Sequence, residues 1–118
     1  MTSLLLILLL LLPTSVWAVD LGKANFSWTA PVVDATHGAP TSYTVKCGTA
    51  TGGPYTMTGI VSGSPPVTIE PVTAVVTTAG TYFCVVTASN TGGESVPSAE
   101  ITFQGAFSPL APSGLTVK

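Results

Sequence analysis

The chain has 118 residues, and its first 18 differ sharply from the rest: 13 of them are apolar, and eight of the eleven leucines fall between Leu4 and Leu12. The remaining 100 residues hold 13 Val, 17 Thr, 12 Gly and 9 Pro, with three Lys against five acids. One hundred residues make one domain. Three cations leave no electrostatic footprint for nucleic acid or an anionic membrane, and Val with Thr in place of Leu argues for strands rather than a helical bundle.

Residues 1–18 read as a secretory signal peptide. Leu4 to Leu12 is an apolar run of nine, Pro13 follows, and Val16 and Ala18 supply the small residues required before a cut after Ala18. Nine residues are too few to span a bilayer, which takes about 20. Met1-Thr2-Ser3 lacks a Lys or Arg, so an uncleaved anchor stands as the alternative. Export predicts a secreted, extracellular or periplasmic protein with no membrane attachment after signal removal. In that compartment Cys47 and Cys84 are expected to form a disulfide; two buried thiols are the alternative reading.

The mature chain shows short alternating stretches between Gly, Pro and Ser clusters. Ala24 to Thr29 places Phe26 and Trp28 on one face and ends at Pro31. The loop Val32–Thr41 precedes Tyr43 to Cys47, with Tyr43, Val45 and Cys47 on one face. Gly48–Pro54 is a turn, and Tyr55 to Val61 a mixed strand. Val67 to Thr78 carries two incompatible patterns, Val67 with Ile69 before Pro71 and Val72 with Val75 and Val76 after it, so its register stays open. Thr81 to Ser89 alternates best, with Tyr82, Cys84, Val86 and Ala88 on one face and apolar residues on the other too, as a central strand requires. After the loop Asn90–Pro97, Ser98 to Gln104 turns Ala99, Ile101 and Phe103 inward. Residues 106–118 form a Pro-, Gly- and Ala-rich tail. No stretch keeps a helical period, so the expectation is an all-β single domain.

Phe26-Ser27-Trp28-Thr29-Ala30-Pro31, Gly38-Ala39-Pro40 and Tyr43-Thr44-Val45 resemble the front half of a fibronectin type III domain. Tyr82, Val86-Thr87-Ala88-Ser89-Asn90, Gly93-Glu94-Ser95 and Ser98 resemble its back half. With Cys47-Gly48-Thr49 and Gly53-Pro54-Tyr55, the chain most resembles the compact type found in bacterial and phage-encoded secreted proteins. The resemblance implies an antiparallel β-sandwich over residues 19–105. Because only nine mature residues precede Trp28, the first strand is expected to be short or missing. An immunoglobulin domain is the rival, since Gly80 to Cys84 reads like its tyrosine corner, but there a Cys precedes the core Trp and here Trp28 comes first.

If Cys47 ends one strand of that fold and Cys84 begins its antiparallel neighbour, then Tyr43 faces Ala88, Val45 faces Val86 and Cys47 faces Cys84. Opposed Cβ atoms lie about 4.5–5.5 Å apart, so a disulfide needs a local adjustment toward 3.8 Å. The closed loop then contributes roughly 4 kcal/mol on the chain-entropy model. A redox role is the lesser reading, and zinc would need further ligands beside the pair.

Trp28 and Tyr82 read as core residues rather than ligand platforms. His37, with Asp34 and Thr36 nearby in sequence, reads as a solvated loop histidine, and Asp34 with His37 alone makes a weak metal site. The sequon Asn25-Phe26-Ser27 lies in a strand and reads as unused. No acid–base pair or activated nucleophile is visible, so no enzyme, cofactor or metal is expected. The expected function is a non-catalytic binding or adhesion module. It would meet a protein or polysaccharide partner through Val32–Thr41, Gly48–Pro54 and Asn90–Pro97, as a monomer or with weak self-association. The alternative is a structural subunit of a surface or virion assembly. The tail Ala111 to Lys118 resembles the opening strand of a fibronectin type III domain; it reads as a vestigial linker or as a strand that Leu115 and Val117 add to the edge left by the short first strand, in the same molecule or, in such an assembly, in a neighbour.

Overall fold

The computed structural model describes residues 17–118 except Ser64. The described chain is an all-β sandwich of two unequal sheets. The strands are β1 (Trp17–Asp20), β2 (Asn25–Ser27), β3 (Ser42–Gly48), β4 (Met57–Ser62), β5 (Ile69–Pro71), β6 (Gly80–Asn90), β7 (Gly93–Glu94) and β8 (Ile101–Ala106). The large sheet runs β1-β8-β6-β3-β4, with β7 folded back on β6, and the small sheet is β2 with β5.

The central pairing is that of β3 with β6, antiparallel, with Tyr43 opposite Ala88, Val45 opposite Val86 and Cys47 opposite Cys84. Val86 and Ala88 direct their backbone groups toward Ser98 and Ser95, away from β3. Strand alternation turns Cys84 the same way, so it meets Cys47 at a site without ladder hydrogen bonds, where strands approach most closely. The Cα atoms there are 4.1 Å apart and the disulfide is formed. Both cysteines are buried in a cluster with Leu21, Phe26, Val45, Val72, Val76, Tyr82 and Phe103. Phe103 is the hub of the aromatic packing, edge-on to Phe26 at 5.9 Å and tilted against Tyr82 at 5.7 Å. The Tyr82 hydroxyl donates to the Thr78 carbonyl at 2.6 Å, closing a tyrosine corner.

The first strand is short, as expected, but it corrects the wholly antiparallel picture. β1 runs parallel to β8, Trp17 to Asp20 against Phe103 to Ala106. It can do so because after Asp20 the chain turns through Leu21–Ala24 into the other sheet instead of returning beside β8. The signal-peptide reading lies outside the described residues except at Trp17 and Ala18, whose backbones form the first two rungs of β1, so a cut after Ala18 shortens that strand.

Region 67–78 resolves into β5 followed by a 3-10 turn at Val72–Ala74. The buried valines are Val72, Val75 and Val76, whereas Val67 and Ile69 face solvent. Hydropathy alone left the register open because β5 turns its middle residue, Glu70, inward opposite Phe26. Glu70 is 6% exposed, its Oε2 has no hydrogen-bond partner, and burial raises its pKa above the ordinary glutamate value. Its carboxyl sits over Gly59 of β4, where a Cβ would come within 2.6 Å of Oε1 and 2.8 Å of Val75 Cγ2, so a larger residue there would have to displace both side chains.

Ser98 to Gln104 was expected to begin earlier and to bury Ile101. The strand starts at Ile101, which lies opposite Cys84 and therefore on the core-facing side, yet it is 52% exposed. The facing sheet has only two strands and does not reach over it.

Two predictions follow from these contacts. Replacing Cys47 and Cys84 together by Ala is expected to lower unfolding stability by about 4 kcal/mol, read by denaturant melts; a change within error would show that the bridge constrains nothing. For Glu70, the folded state holds its proton to higher pH than the unfolded chain, so stability falls as pH rises from the ordinary glutamate range through the raised folded value. Glu70→Gln is expected to be the more stable protein at neutral pH and to lose that advantage in acid. Parallel melting curves at all pH values would exclude the buried carboxylate as the cause.

Candidate functional site

The loops Val32–Thr41 and Asn90–Pro97 emerge at the same end of the sandwich, because β3 begins where β6 ends. Between them lies a cleft of about 520 Å³ lined by Val32, His37, Pro40, Asn90, Thr91 and Glu94, among others.

Each loop is internally braced. In the first, Asp34 Oδ1 accepts from the Thr36 backbone N–H at 2.9 Å and the Thr36 hydroxyl at 3.1 Å, and meets His37 Nδ1 at 2.9 Å. The Thr36 N–H, then His37, hold the Asp34 carboxyl below its ordinary pKa. In the second, Asn90 Oδ1 accepts from the Gly92 N–H at 2.7 Å, and Gly93 follows at φ 124°, a conformation suited to glycine. Asn90 Nδ2 donates to the Ala39 carbonyl at 3.2 Å, tying the two loops together. Glu94 accepts from Lys46 at 3.0 Å and Thr87 at 3.0 Å, which anchors the β6–β7 hairpin to β3. Lys46 first and Thr87 second lower the Glu94 pKa.

Beyond β7, Pro97 prevents a regular ladder. Ser95 and Ser98 replace it: each donates its backbone N–H to β6, to the Ala88 and Val86 carbonyls, and each accepts the matching β6 N–H on its own hydroxyl at 2.9 Å. The spacing Ser95-Val96-Pro97-Ser98 was visible in the sequence, but its role as two side-chain rungs was not.

The third loop proposed from sequence, Gly48–Pro54, is not part of this surface. It lies at the far end of β3, where Glu100 accepts from Tyr55 OH at 2.6 Å, Thr51 Oγ1 at 2.7 Å and Gly52 N at 2.8 Å. Those donors, Tyr55 first, lower the Glu100 pKa, and Glu100 in turn raises that of Tyr55.

His37 is solvent-exposed, as read from sequence, but it is not isolated: Asp34 and Thr36 both approach the same nitrogen, Nδ1. A hydrolytic triad places its acid and its nucleophile on different ring nitrogens, so this arrangement orders a loop rather than activating Thr36. Among the described residues no three His, Cys, Asp or Glu side chains cluster as metal ligands. Tyr82 is buried and Trp28 packs partly buried, edge-on to Tyr43 at 5.3 Å, both as the core reading expects.

No helix among the described residues is long and apolar enough to cross a membrane. Comparison with protein-family models, with curated proteins and with solved structures gives no match.

If Asn90 sets the cleft, Asn90→Ala frees both loops at once. Amide exchange at Gly38–Thr41 and Thr91–Gly93 is expected to accelerate, with a global stability loss of only about 1 kcal/mol. Exchange unchanged in the Gly38–Thr41 segment would mean that the loops are not coupled.

Proposed function

We propose that this chain is a non-catalytic secreted module of fibronectin type III type that binds a protein or carbohydrate partner through its Val32–Thr41 and Asn90–Pro97 loops. The observation that carries the reading is the cleft between those loops, cross-tied by Asn90 and open to solvent. Bracing both walls before binding lowers the ordering cost that a flexible loop pair would incur. The lining mixes hydroxyl and amide side chains with the apolar Pro31, Val32, Pro40 and Ala88, and His37 and Glu94 are its titratable side chains. Such a surface suits a neutral, hydrogen-bonding ligand such as a polysaccharide or a polar protein loop.

Support for the fold family comes from the two-sheet sandwich, the Tyr82 corner and the order of Trp28 before Cys47. Support for export comes from the leader composition and from the buried Cys47–Cys84 bridge, which suits an oxidising compartment.

The reading is tested by screening the mature chain against arrayed polysaccharides and surface proteins. The hit is then measured again with Val32→Lys plus Thr91→Lys, two exposed lining positions, and with Thr49→Lys at the far end. Affinity is expected to fall about tenfold or more in the first variant, a loss of roughly 1.4 kcal/mol, and to hold in the second. An empty screen, or binding indifferent to the cleft substitutions, overturns it.

A further inference from the structure

Among the described residues, the small sheet ends on an edge with no partner. Trp28 N donates to the Thr68 carbonyl and Val72 N to the Ala24 carbonyl, each at 3.1 Å, so Ala24, Phe26 and Trp28 turn their backbone groups toward β5. By alternation Asn25 and Ser27 present theirs to the other side, and among the described residues β2 pairs with β5 alone. An exposed edge of this kind is a template for another strand.

Beside that edge the sandwich is open. A gap of about 240 Å³, mostly apolar, lies between β2 and the segment leading into β8, with Phe26, Trp28, Val45, Val86, Ala99 and Ile101 in its walls. Two side chains there are incompletely served. Ile101 faces the core side yet is 52% exposed, and Trp28 Nε1 is buried without an acceptor. β1 covers only the stretch of β8 from Phe103 to Ala106, and the gap lies above it.

The tail supplies a matching strand. Residues 107–118 form no secondary structure, and Leu115 and Val117 are each 100% exposed. Their spacing places both on one face of an extended segment, with Thr116 and Lys118 on the other. The tail is pinned at its root, where Ser108 Oγ donates to Asp20 Oδ2 at 2.7 Å, beside the end of β8. From that point β2 runs away toward Trp28, so the chain's own tail would have to reverse and lie parallel to β2. A tail arriving from a neighbour can pair antiparallel, the more stable arrangement.

We infer that the tail strand Ser113–Lys118 of a second copy of this chain adds to the free edge of β2, with Leu115 and Val117 filling the gap beside Trp28 and Ile101. The exchange is reciprocal, each copy donating a tail and accepting one, which closes a two-fold dimer. The added strand pairs with Asn25 and Ser27 and brings backbone carbonyls to the edge where Trp28 Nε1 lacks one. A mature chain cut after Ala18 also vacates the rungs opposite Phe103 and Gln104, extending the opening toward β1. The inference does not depend on a ligand in the loop cleft.

Sedimentation of the mature chain, residues 19–118, over a concentration series tests this. A reversible dimer is expected, and Leu115→Asp with Val117→Asp should weaken it about a hundredfold or more, since each carboxylate would be carried into an apolar gap. Trp28 is the sole tryptophan of the mature chain, so its emission should be blue-shifted in the dimer and red-shifted in the doubly substituted monomer. A synthetic peptide of residues 111–118, added to that monomer, should restore the blue shift. Ser27→Pro removes an edge N–H that β5 does not use and should also weaken association; where it fails to fold, the aspartate pair decides. Val32→Lys with Thr91→Lys should leave the dimer intact, which separates this result from the loop reading. A monomer at every concentration overturns the inference, whether its tail amides exchange freely or are protected by its own edge. So does a dimer indifferent to the aspartates.

Discussion

The antiparallel pairing of β3 with β6 governs the rest of the structure. It brings Cys47 and Cys84 together at a closely spaced, non-hydrogen-bonded site, and it sets which faces of both strands look inward. From that one register follow the burial of Tyr43, Val45 and Tyr82, the shared end at which the two long loops emerge, and the outward course of the half-buried Lys46, where Glu94 can reach it. A one-residue slip would turn every core side chain of β3 outward. The disulfide makes such a slip impossible without leaving both sulfurs unpaired.

The inequality of the two sheets explains what this register cannot. Five strands in line face two. The small sheet covers the lower middle of the large one, where Phe26 meets Phe103, and leaves Ile101 uncovered although it belongs to the same face. The same shortage places Glu70 at the inner edge of β5 against Gly59 instead of under a further strand. A half-exposed isoleucine, an orphaned indole nitrogen and an unsatisfied carboxylate thus mark the margins of one undersized layer.

Sequence patterns carried the large sheet well and the small one badly. β3 alternates from Ser42 to Cys47, and β6 is long and apolar on both faces as a central strand must be, which was enough to place Tyr82 and Cys84 on its inner face and to set the register. β2 and β5 are three residues each, too short for a period to emerge, and β5 ends in Pro71. There the alternation of Val67 with Ile69 competed with the valines after Pro71 and left the register open, because hydrophobicity does not anticipate a buried glutamate. The parallel course of β1 was equally hidden, since nothing local distinguishes parallel from antiparallel partners in a four-residue strand. Within the loop cleft, the two loops were legible from Gly, Pro and Asn content. Their coupling through Asn90 and Ala39 is a contact across 51 positions, which no local pattern encodes.

The scarcity of charge has a structural meaning beyond the partners it excludes. Four of the five acids accept hydrogen bonds that hold a chain reversal: Asp20 from Gly22 and Ser108, Asp34 from Thr36, Glu94 from Thr87 and Lys46, and Glu100 from the β3–β4 turn. All four have pKa values lowered by these donors, so their contribution to stability is present above the ordinary carboxylate range and lost as pH falls below it. Glu70 acts in the opposite sense. Acid therefore loosens the loop braces while relieving the core of its one buried carboxylate. The consequence is spatial as well as energetic: acid weakens the braces that Asp34 and Glu94 make in the loop cleft, whereas the disulfide and aromatic core that hold the β3–β6 centre do not titrate in this range.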